Sequence, residues 1–425
     1  MLYKNYFEQL RKAIPLLMEA QNVPALSISV TNKSEVVFSE GFGFTDPSHN
    51  FEVNSNTRFS LQSISKTYTA FGFMLTVDKG KVSLDETLKK YIPSFNVRSR
   101  DNIDYSNKIT FRHLLKHRSG LAHEAPVGNN FSFGTFEEHI KSINDTCLKF
   151  KPDEDYSYSN LGIDLIAHAL EKIYDMPFEE FMEQYVFAPL DMKLSTYKQE
   201  IFLCDIKSAV GHGKKTLVKN PIPMLGAGGM YSCTEDMVKF IDCFLNDGVY
   251  KGKKVINENT LKLMYEEYPA SENWQYNLGL DVGLFKGKTI LNHNGGGYGF
   301  YCSQDILPDM GLGAASLTNS VMHPNIQHSI IRNMWSDFIT LADEGLCDCD
   351  DISDKYKKYI GVYQANYIDD NFKEAIIPRN GELYLGNQKL QYHSTDLFFT
   401  QNNDIVEFAS DNCVRINYIE YQKVM

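Results

Sequence analysis

The order of periodicities along the chain constrains its fold more than any single motif. Residues 25–32 (ALSISVTN) and 35–44 (EVVFSEGFGF) have the composition of two strands joined by a tight turn at Asn32–Ser34. A helical run then extends from about Ser63 to Asp78, stopped by Gly80. From 81 to 214 apolar residues recur three and four apart with Pro and Gly as breakers. Two more helices are expected in GMYSCTEDMVKFIDCFLNDG and NENTLKLMYEEY. Strand-like runs return in YNLGLDVGLF, KTILNHN, GFYCSQDILP and MGLGAASLTN. The run NIQHSIIRNMWSDFITLADEG follows them, with Ile326, Ile330, Ile331, Met334, Trp335 and Phe338 on one helical stripe. The simplest packing is an α/β domain. Its antiparallel sheet draws strands from both ends of the segment, helices cover the sheet's faces, and the helical insertion forms a lobe to one side.

Beyond an acidic segment at 343–354, which reads as a linker, the pattern changes. Residues 355–425 hold short alternating runs such as YIGVYQA, ELYLG, DLFFTQ and VRINYIEYQ. Turn signals lie between them at Asn380–Gly381, Gly386–Asn387, Asn402–Asp404 and Ser410–Asn412. This is the signature of an antiparallel meander forming a small barrel or sandwich. Two domains are therefore expected, 1–345 and 346–425, the second carrying no catalytic constellation.

Charge and cysteine content narrow the function. With 42 Lys and Arg against 54 Asp and Glu, the formal charge is −12, which opposes nucleic acid or an anionic membrane as a partner. No stretch approaches a membrane-spanning helix. The N-terminal run places Tyr6, Leu10, Ala13, Ile14 and Leu17 at helical spacing rather than forming a secretory leader. A cytoplasmic protein is expected if this terminus is native, and an extracytoplasmic one if a leader has been removed. Six of the eight cysteines (147, 204, 233, 243, 302, 413) read as isolated core residues. Cys347 and Cys349 could ligate a metal, but no His is near them and their segment is the acidic linker.

Ser63 and Lys66, in LQSISKTYTAFGFML, stand three apart at the head of the first long helix, so both side chains share one face. A serine hydroxyl needs such a neighbouring base to become a nucleophile. The spacing alone is cheap, since Ser195 and Lys198 repeat it in a polar loop with no apolar helix behind. Tyr-Ser-Asn also occurs twice, at Tyr105–Asn107 in a polar run read as surface and at Tyr158–Asn160 beside a long amphipathic helix. A phenol becomes a usable base if an ammonium such as Lys66 stabilises its anion. The third element, His293-Asn294-Gly295-Gly296-Gly297, ends a strand with bare backbone, where a substrate could pair and an N–H could join an oxyanion hole. Gly283 to Gly287 is one residue too short for a phosphate loop.

Ser-x-x-Lys, Tyr-x-Asn and His-x-Gly in this order resemble the serine beta-lactamase-related family of class C beta-lactamases, D-alanyl-D-alanine carboxypeptidases, D-aminopeptidases and esterases. The likeness extends over about residues 5–340, through RFSLQSISKTYTAFGFMLTVDKGKVSLDETLKKYIPSF, YSNLGIDLIAHALEKIYDMPFEEFMEQYVFAPLDM and GAGGMYSCTEDMVKFIDCFLNDG. The tail resembles the lipocalin-like barrel that some members append. The resemblance implies a beta-lactamase/transpeptidase-like fold and a serine hydrolase forming an acyl-enzyme on Ser63. Lys66 and Tyr158 would share the base work, with Asn160 in the cleft and the N–H groups of Ser63 and Gly296 as oxyanion hole, beside Gly295. It implies a small-molecule or peptide substrate, an ester or an amide including D-amino-acid peptides, with no metal or cofactor; it leaves the oligomeric state open. His293 replaces the lysine of the Lys-Thr-Gly usual in penicillin-recognising members, which disfavours the alternatives of carboxypeptidase and beta-lactamase. A non-catalytic binding protein on the same fold is the rival from another class.

Overall fold

The computed structural model describes residues 3–425 other than 34, 47, 49, 130, 131, 133, 213–216, 219–222, 267–269, 321–325, 368 and 369. Ser34 of the expected turn, residues 213–214 and residues 267–268 thus lie outside the described residues. In chain order the principal elements are α1 (Lys4–Ala20), β1 (Ala25–Asn32), β2 (Glu35–Gly43), α2 (Ser65–Asp78), α3 (Asn160–Tyr174), α4 (Thr234–Leu245), β3 (Gln275–Tyr276), β4 (Asp281–Phe285), β5 (Lys288–Gly297), β6 (Phe300–Leu307), β7 (Leu312–Thr318) and α5 (Ile326–Asp343). Strands β1 to β7 form one antiparallel sheet in the order β2-β1-β7-β6-β5-β4-β3, so the two ends of the segment do meet, at β1 and β7. The YNLGLDVGLF run, expected as one strand, is instead two strands around a turn. Gly279 there has φ +86°, and a Cβ on it would stand 2.3 Å from Ala70 Cβ on α2. The helix expected in NENTLKLMYEEY is confined to Glu258–Lys262.

Both faces of β1 are buried. Leu26, Ile28 and Val30 pack in the cluster that contains α1 and α5. The alternate residues meet α4: the Ser27 and Ser29 hydroxyls each lie 2.9 Å from Thr234 Oγ1, and Thr31 Oγ1 donates to Asp242 Oδ1 at 2.6 Å. Helix α2 is buried from Ser65 to Thr76 and ends at Lys79 with Gly80 following at φ +67°, the left-handed stop that glycine adopts without strain. Among the described residues no helix is long and apolar enough to cross a membrane.

The C-terminal strands β8 (Gly361–Tyr367), β9 (Asp370–Arg379), β10 (Glu382–Leu385), β11 (Gln388–Lys389), β12 (Gln391–Ser394), β13 (Leu397–Phe399), β14 (Ile405–Ser410), β15 (Cys413–Ile416) and β16 (Ile419–Lys423) form a nearly closed antiparallel barrel. The segment at 343–354 is not a free tether. Asp348 accepts the Asn5 and Tyr6 backbone N–H groups at 2.7 and 3.1 Å, and Cys349 O accepts Asn5 Nδ2 at 3.0 Å. A carboxylate on the first-turn N–H groups of α1 satisfies donors that the helix itself cannot. Val362, Ala375, Ile377 and Tyr384 of the barrel join the α1/α5 cluster, and Arg379 grips Asp337 of α5 through two hydrogen bonds at 2.7 and 3.1 Å. The cysteines split differently from expectation: Cys233, Cys243, Cys302 and Cys413 are buried, but Cys147 and Cys204 are exposed because they fall in short surface segments of the lobe. Cys349 is buried against Gln9, whose Nε2 donates to its sulfur at 3.4 Å.

Removing the Asp348 carboxylate with Asp348→Ala is expected to cost about 1 kcal/mol, read as a lower Tm. With the catalytic fold proposed to end at 345, a chain truncated after Gly345 is expected to melt lower still, since the barrel's apolar cover of α1 goes with it. Equal melting of truncated and full chains would show that the shared cluster contributes nothing.

Candidate active site

Ser63 sits where a short strand turns into a buried helix. Phe59–Ser60 pairs antiparallel with Tyr231–Ser232, and the Leu61 N–H donates to Met230 O at 2.9 Å. A 3-10 turn, Gln62–Ile64, follows, with Gln62 in the left-handed region at φ +53°. Such a conformation persists only when its surroundings over-determine it. Here Ser65 supplies the restraint, donating to Gln62 O at 2.6 Å and accepting the Met230 N–H at 3.0 Å. Strand β5 lies against this turn. A Cβ on Gly295 would stand 2.0 Å from the Leu61 backbone O, so only glycine permits this approach of β5 to the turn; Gly297, at φ +146°, lies over the Gln62 side chain. From His293 to Gly297, β5 is paired with β6, because β4 reaches no further than Asn292; among the described residues its other edge has no strand neighbour.

Lys66, the second residue of α2, is fully buried. Its Nζ lies 3.0 Å from Ser63 Oγ and donates to Ala227 O at 2.8 Å. Burial pulls its pKa down from 10.5 to about 7, against the opposing pull of Asp164 and Glu124. At pH 7 the amine is therefore about half neutral. The Tyr158 phenol hydrogen-bonds Ser63, and its ring centre is 4.8 Å from Lys66 Nζ. Burial pushes the phenol's pKa up, only partly offset by the Ser63 bond. The condition for a Tyr158 base, an anion stabilised by Lys66, is opposed in the free site by this burial.

Asn160 opens α3 in the cleft. Its Nδ2 donates to Glu124 Oε1 at 2.8 Å, and the other Glu124 oxygen is buried with no hydrogen-bond partner among the described residues. His117, buried at φ +57°, accepts the Ser159 N–H on Nδ1 at 3.2 Å, and its ring centre lies 4.4 Å from those of both Tyr158 and Tyr276, tilted to them by 42° and 43°. His293 is closed on both sides. Its Nδ1–H donates to Asn294 O at 2.7 Å, and the Tyr276 hydroxyl donates to its Nε2 at 3.1 Å. Burial first, and Lys66 second, push its pKa down to about 3. Glu124, Tyr276 and His117 carried no motif in the sequence, and only the packing of separate loops brings them here.

The competing copies lie elsewhere in the network. Ser195 bonds Ser232 and Asp236, while Lys198 pairs with Glu183 at 2.9 Å. Tyr105, read as surface, is buried, with its hydroxyl on Asp101 at 2.7 Å; it anchors its own polar loop. Among the described residues no group of three or more His, Cys, Asp or Glu side chains could hold a metal ion.

Because burial and the Lys66 charge keep His293 neutral down to about pH 3, the proton taken up between pH 7 and 5 goes to Lys66 and not to His293. Acidification over that range is expected to change penicillin binding to a Ser63→Ala protein and to a Ser63→Ala/His293→Asn protein by the same factor, read by titration calorimetry; about tenfold more tightening at pH 5 in the protein that keeps His293 would reveal an imidazolium.

Residues 10–328 match the family model described as Beta-lactamase. The D-alanyl-D-alanine-carboxypeptidase/endopeptidase AmpH of Escherichia coli strain K12 is 26% identical over 308 residues, covering 68% of this chain and 77% of AmpH. The octameric penicillin-binding protein homologue from Pyrococcus abyssi superposes with a TM-score of 0.65 at 20% identity, over 96% of this chain and 98% of that one, barrel included. The D-stereospecific amidohydrolase from Streptomyces sp. gives 0.58 at 24% identity, over 74% and 94%. With three quarters of its length under the family model and the same fold in these relatives, the chain belongs to the beta-lactamase family of serine hydrolases.

Proposed function

We propose that the protein hydrolyses small esters or amides through an acyl-enzyme on Ser63, with D-aminoacyl compounds bearing a free ammonium as the favoured class. The observation that carries the reaction is Lys66: a fully buried amine, its pKa pulled down to about 7, 3.0 Å from the Ser63 hydroxyl. In this reading the neutral amine takes the Ser63 proton as Oγ attacks the carbonyl carbon, and the N–H groups of Ser63 and Gly296 receive the oxyanion. Tyr158, a neutral phenol on Ser63, donates its proton to the leaving oxygen or nitrogen and is reprotonated from Lys66. Water then attacks the ester carbonyl with the proton transfers reversed, releasing the acid and restoring Ser63. Tyr158 thus acts chiefly as acid in acylation and Lys66 as base, rather than the two sharing one role.

The substrate class is supported by charge. The wall that holds Asn160 carries the Glu124 carboxylate, with one oxygen unpaired among the described residues, whereas His293 offers no cation and no spare nitrogen. His123 Nε2 lies 3.2 Å from the Glu124 oxygen that Asn160 holds, and that bond raises the imidazole's pKa. Where the imidazole is neutral, this reading favours an ammonium at the wall over a carboxylate. The Streptomyces relative is named for D-stereospecific amide hydrolysis.

Ser63→Ala is expected to abolish labelling by a fluorophosphonate and turnover together, and Lys66→Ala and Tyr158→Phe to cost several orders of magnitude. Tyr105→Phe and Ser195→Ala should stay near wild type; mass added at Ser195 in the intact protein would sink the assignment. Glu124→Gln is expected to lower kcat/KM for a D-aminoacyl amide roughly ten- to a hundredfold relative to its N-acetylated analogue, the worth of one charged hydrogen bond. An unchanged ratio would remove Glu124 from substrate recognition.

A further inference from the structure

We propose that the buried pair His139–Asp164 is a positioning device for the base: it fixes the peptide that holds Lys66 and balances the charge Lys66 feels. This rests on the reading of Lys66 as base. Asp164, on α3, accepts the Ala227 N–H on Oδ1 at 2.9 Å, and the Ala227 carbonyl in turn accepts Lys66 Nζ at 2.8 Å. Ala227 belongs to the short helix Leu225–Gly228, which is pressed onto α3. A Cβ on Gly226 would stand 2.7 Å from Ala167 Cβ, and Thr69 of α2 donates to Gly226 O at 2.7 Å. The other Asp164 oxygen lies 3.0 Å from His139 Nε2, and His139 Nδ1 lies 2.8 Å from Val127 O.

The charge state of His139 follows from these partners. A carbonyl only accepts, so Nδ1 carries a proton; a carboxylate only accepts, so Nε2 carries one too. His139 is then an imidazolium against the Asp164 carboxylate, both side chains at 0% exposure. The Asp164 bond and charge hold its pKa up against burial. The other charged or titratable groups that act on the pair are Lys66, Glu124 and Tyr197; His168, one turn along α3 from Asp164, is turned to Glu171 at 2.8 Å. A fully buried ion pair is a weak source of stability, because desolvation offsets most of its attraction. Its place behind Ala227 gives it another effect. Asp164 alone would hold the Lys66 proton on, and the imidazolium cancels part of that field.

The two halves of the pair therefore have opposite expected effects, which no loss of packing would produce. His139→Gln keeps a neutral donor to Asp164 but removes the cation. The acid limb of Ser63 labelling by a fluorophosphonate should move up by roughly half to one pH unit. Asp164→Asn keeps an acceptor for Ala227 but removes the anion, and the limb should move down by a similar amount. The midpoint of a rate profile is read on the folded fraction alone, so partial unfolding does not mimic it. Unmoved midpoints, or movement of both in one direction, would overturn the proposal. In the unaltered protein, nitrogen NMR of His139 should show both ring nitrogens protonated from pH 6 to 8, and a neutral ring at pH 7 would overturn it without any variant. Failure of Ser63 to label at all would instead refute the acyl-enzyme reading, and the NMR result would still decide the charge of the pair.

Discussion

The arrangement of the molecule depends on taking one amine out of water. Lys66 is held in the interior by Ser63 on one side and the Ala227 carbonyl on the other. An ammonium in that position loses hydration that two hydrogen bonds do not replace, so the neutral form gains ground until the group titrates near neutrality. For this to hold, α2 must be enclosed along its length, and three separate pieces of chain enclose it. The sheet contributes the β5 edge, the lobe contributes α3 with the Tyr158 loop, and the Leu225–Gly228 turn contributes the carbonyl. The site lies at their junction because no single element could both bury Lys66 and leave Ser63 half open.

The same economy appears on the far side of the sheet. Helix α1 lies between the sheet and the barrel, its N–H groups capped by Asp348 and its apolar stripe shared with α5 and with the barrel's Val362, Ala375 and Ile377. The buried Asp337 carboxylate joins all three, accepting from Tyr6 of α1 at 2.9 Å and from Arg379 of the barrel while standing on α5. The two sequence domains are thus continuous in their packing, although no barrel residue enters the network around Ser63 described above.

Much of this was legible in the sequence. The strand runs, the insertion and the barrel announced themselves by period, and the Ser63, Lys66, Tyr158 and Asn160 positions by motif and order. What was hidden shares a physical cause: it depends on which polar groups are desolvated together. The Ser27-Ser29-Thr31 face of β1 alternates like a solvated strand, yet its hydroxyls are satisfied inside by Thr234 and Asp242. Cysteine spacing could not distinguish exposed Cys147 and Cys204 from the buried ones. An acidic linker and a set of helix caps have the same composition, and only α1's open N–H groups make Asp348 the latter. Glu124, Tyr276, His117 and the His139–Asp164 pair lie in loops, on the short strand β3 and in helix interiors, outside the motifs they serve.

Desolvation also decides what the cleft can recognise. Three basic groups, Lys66, His117 and His293, are buried within reach of one another, and the Lys66 charge lowers both imidazoles further. Charging two of them at once is opposed twice, by burial and by mutual repulsion, so as acid is added the groups fill in sequence. Lys66 fills first, near pH 7, and His293 only near pH 3. An enzyme of this kind can have its base or a cationic His293, but acidification silences the base some four units before the imidazole charges. His293 therefore serves as a fixed neutral link between Tyr276 and the β5 backbone.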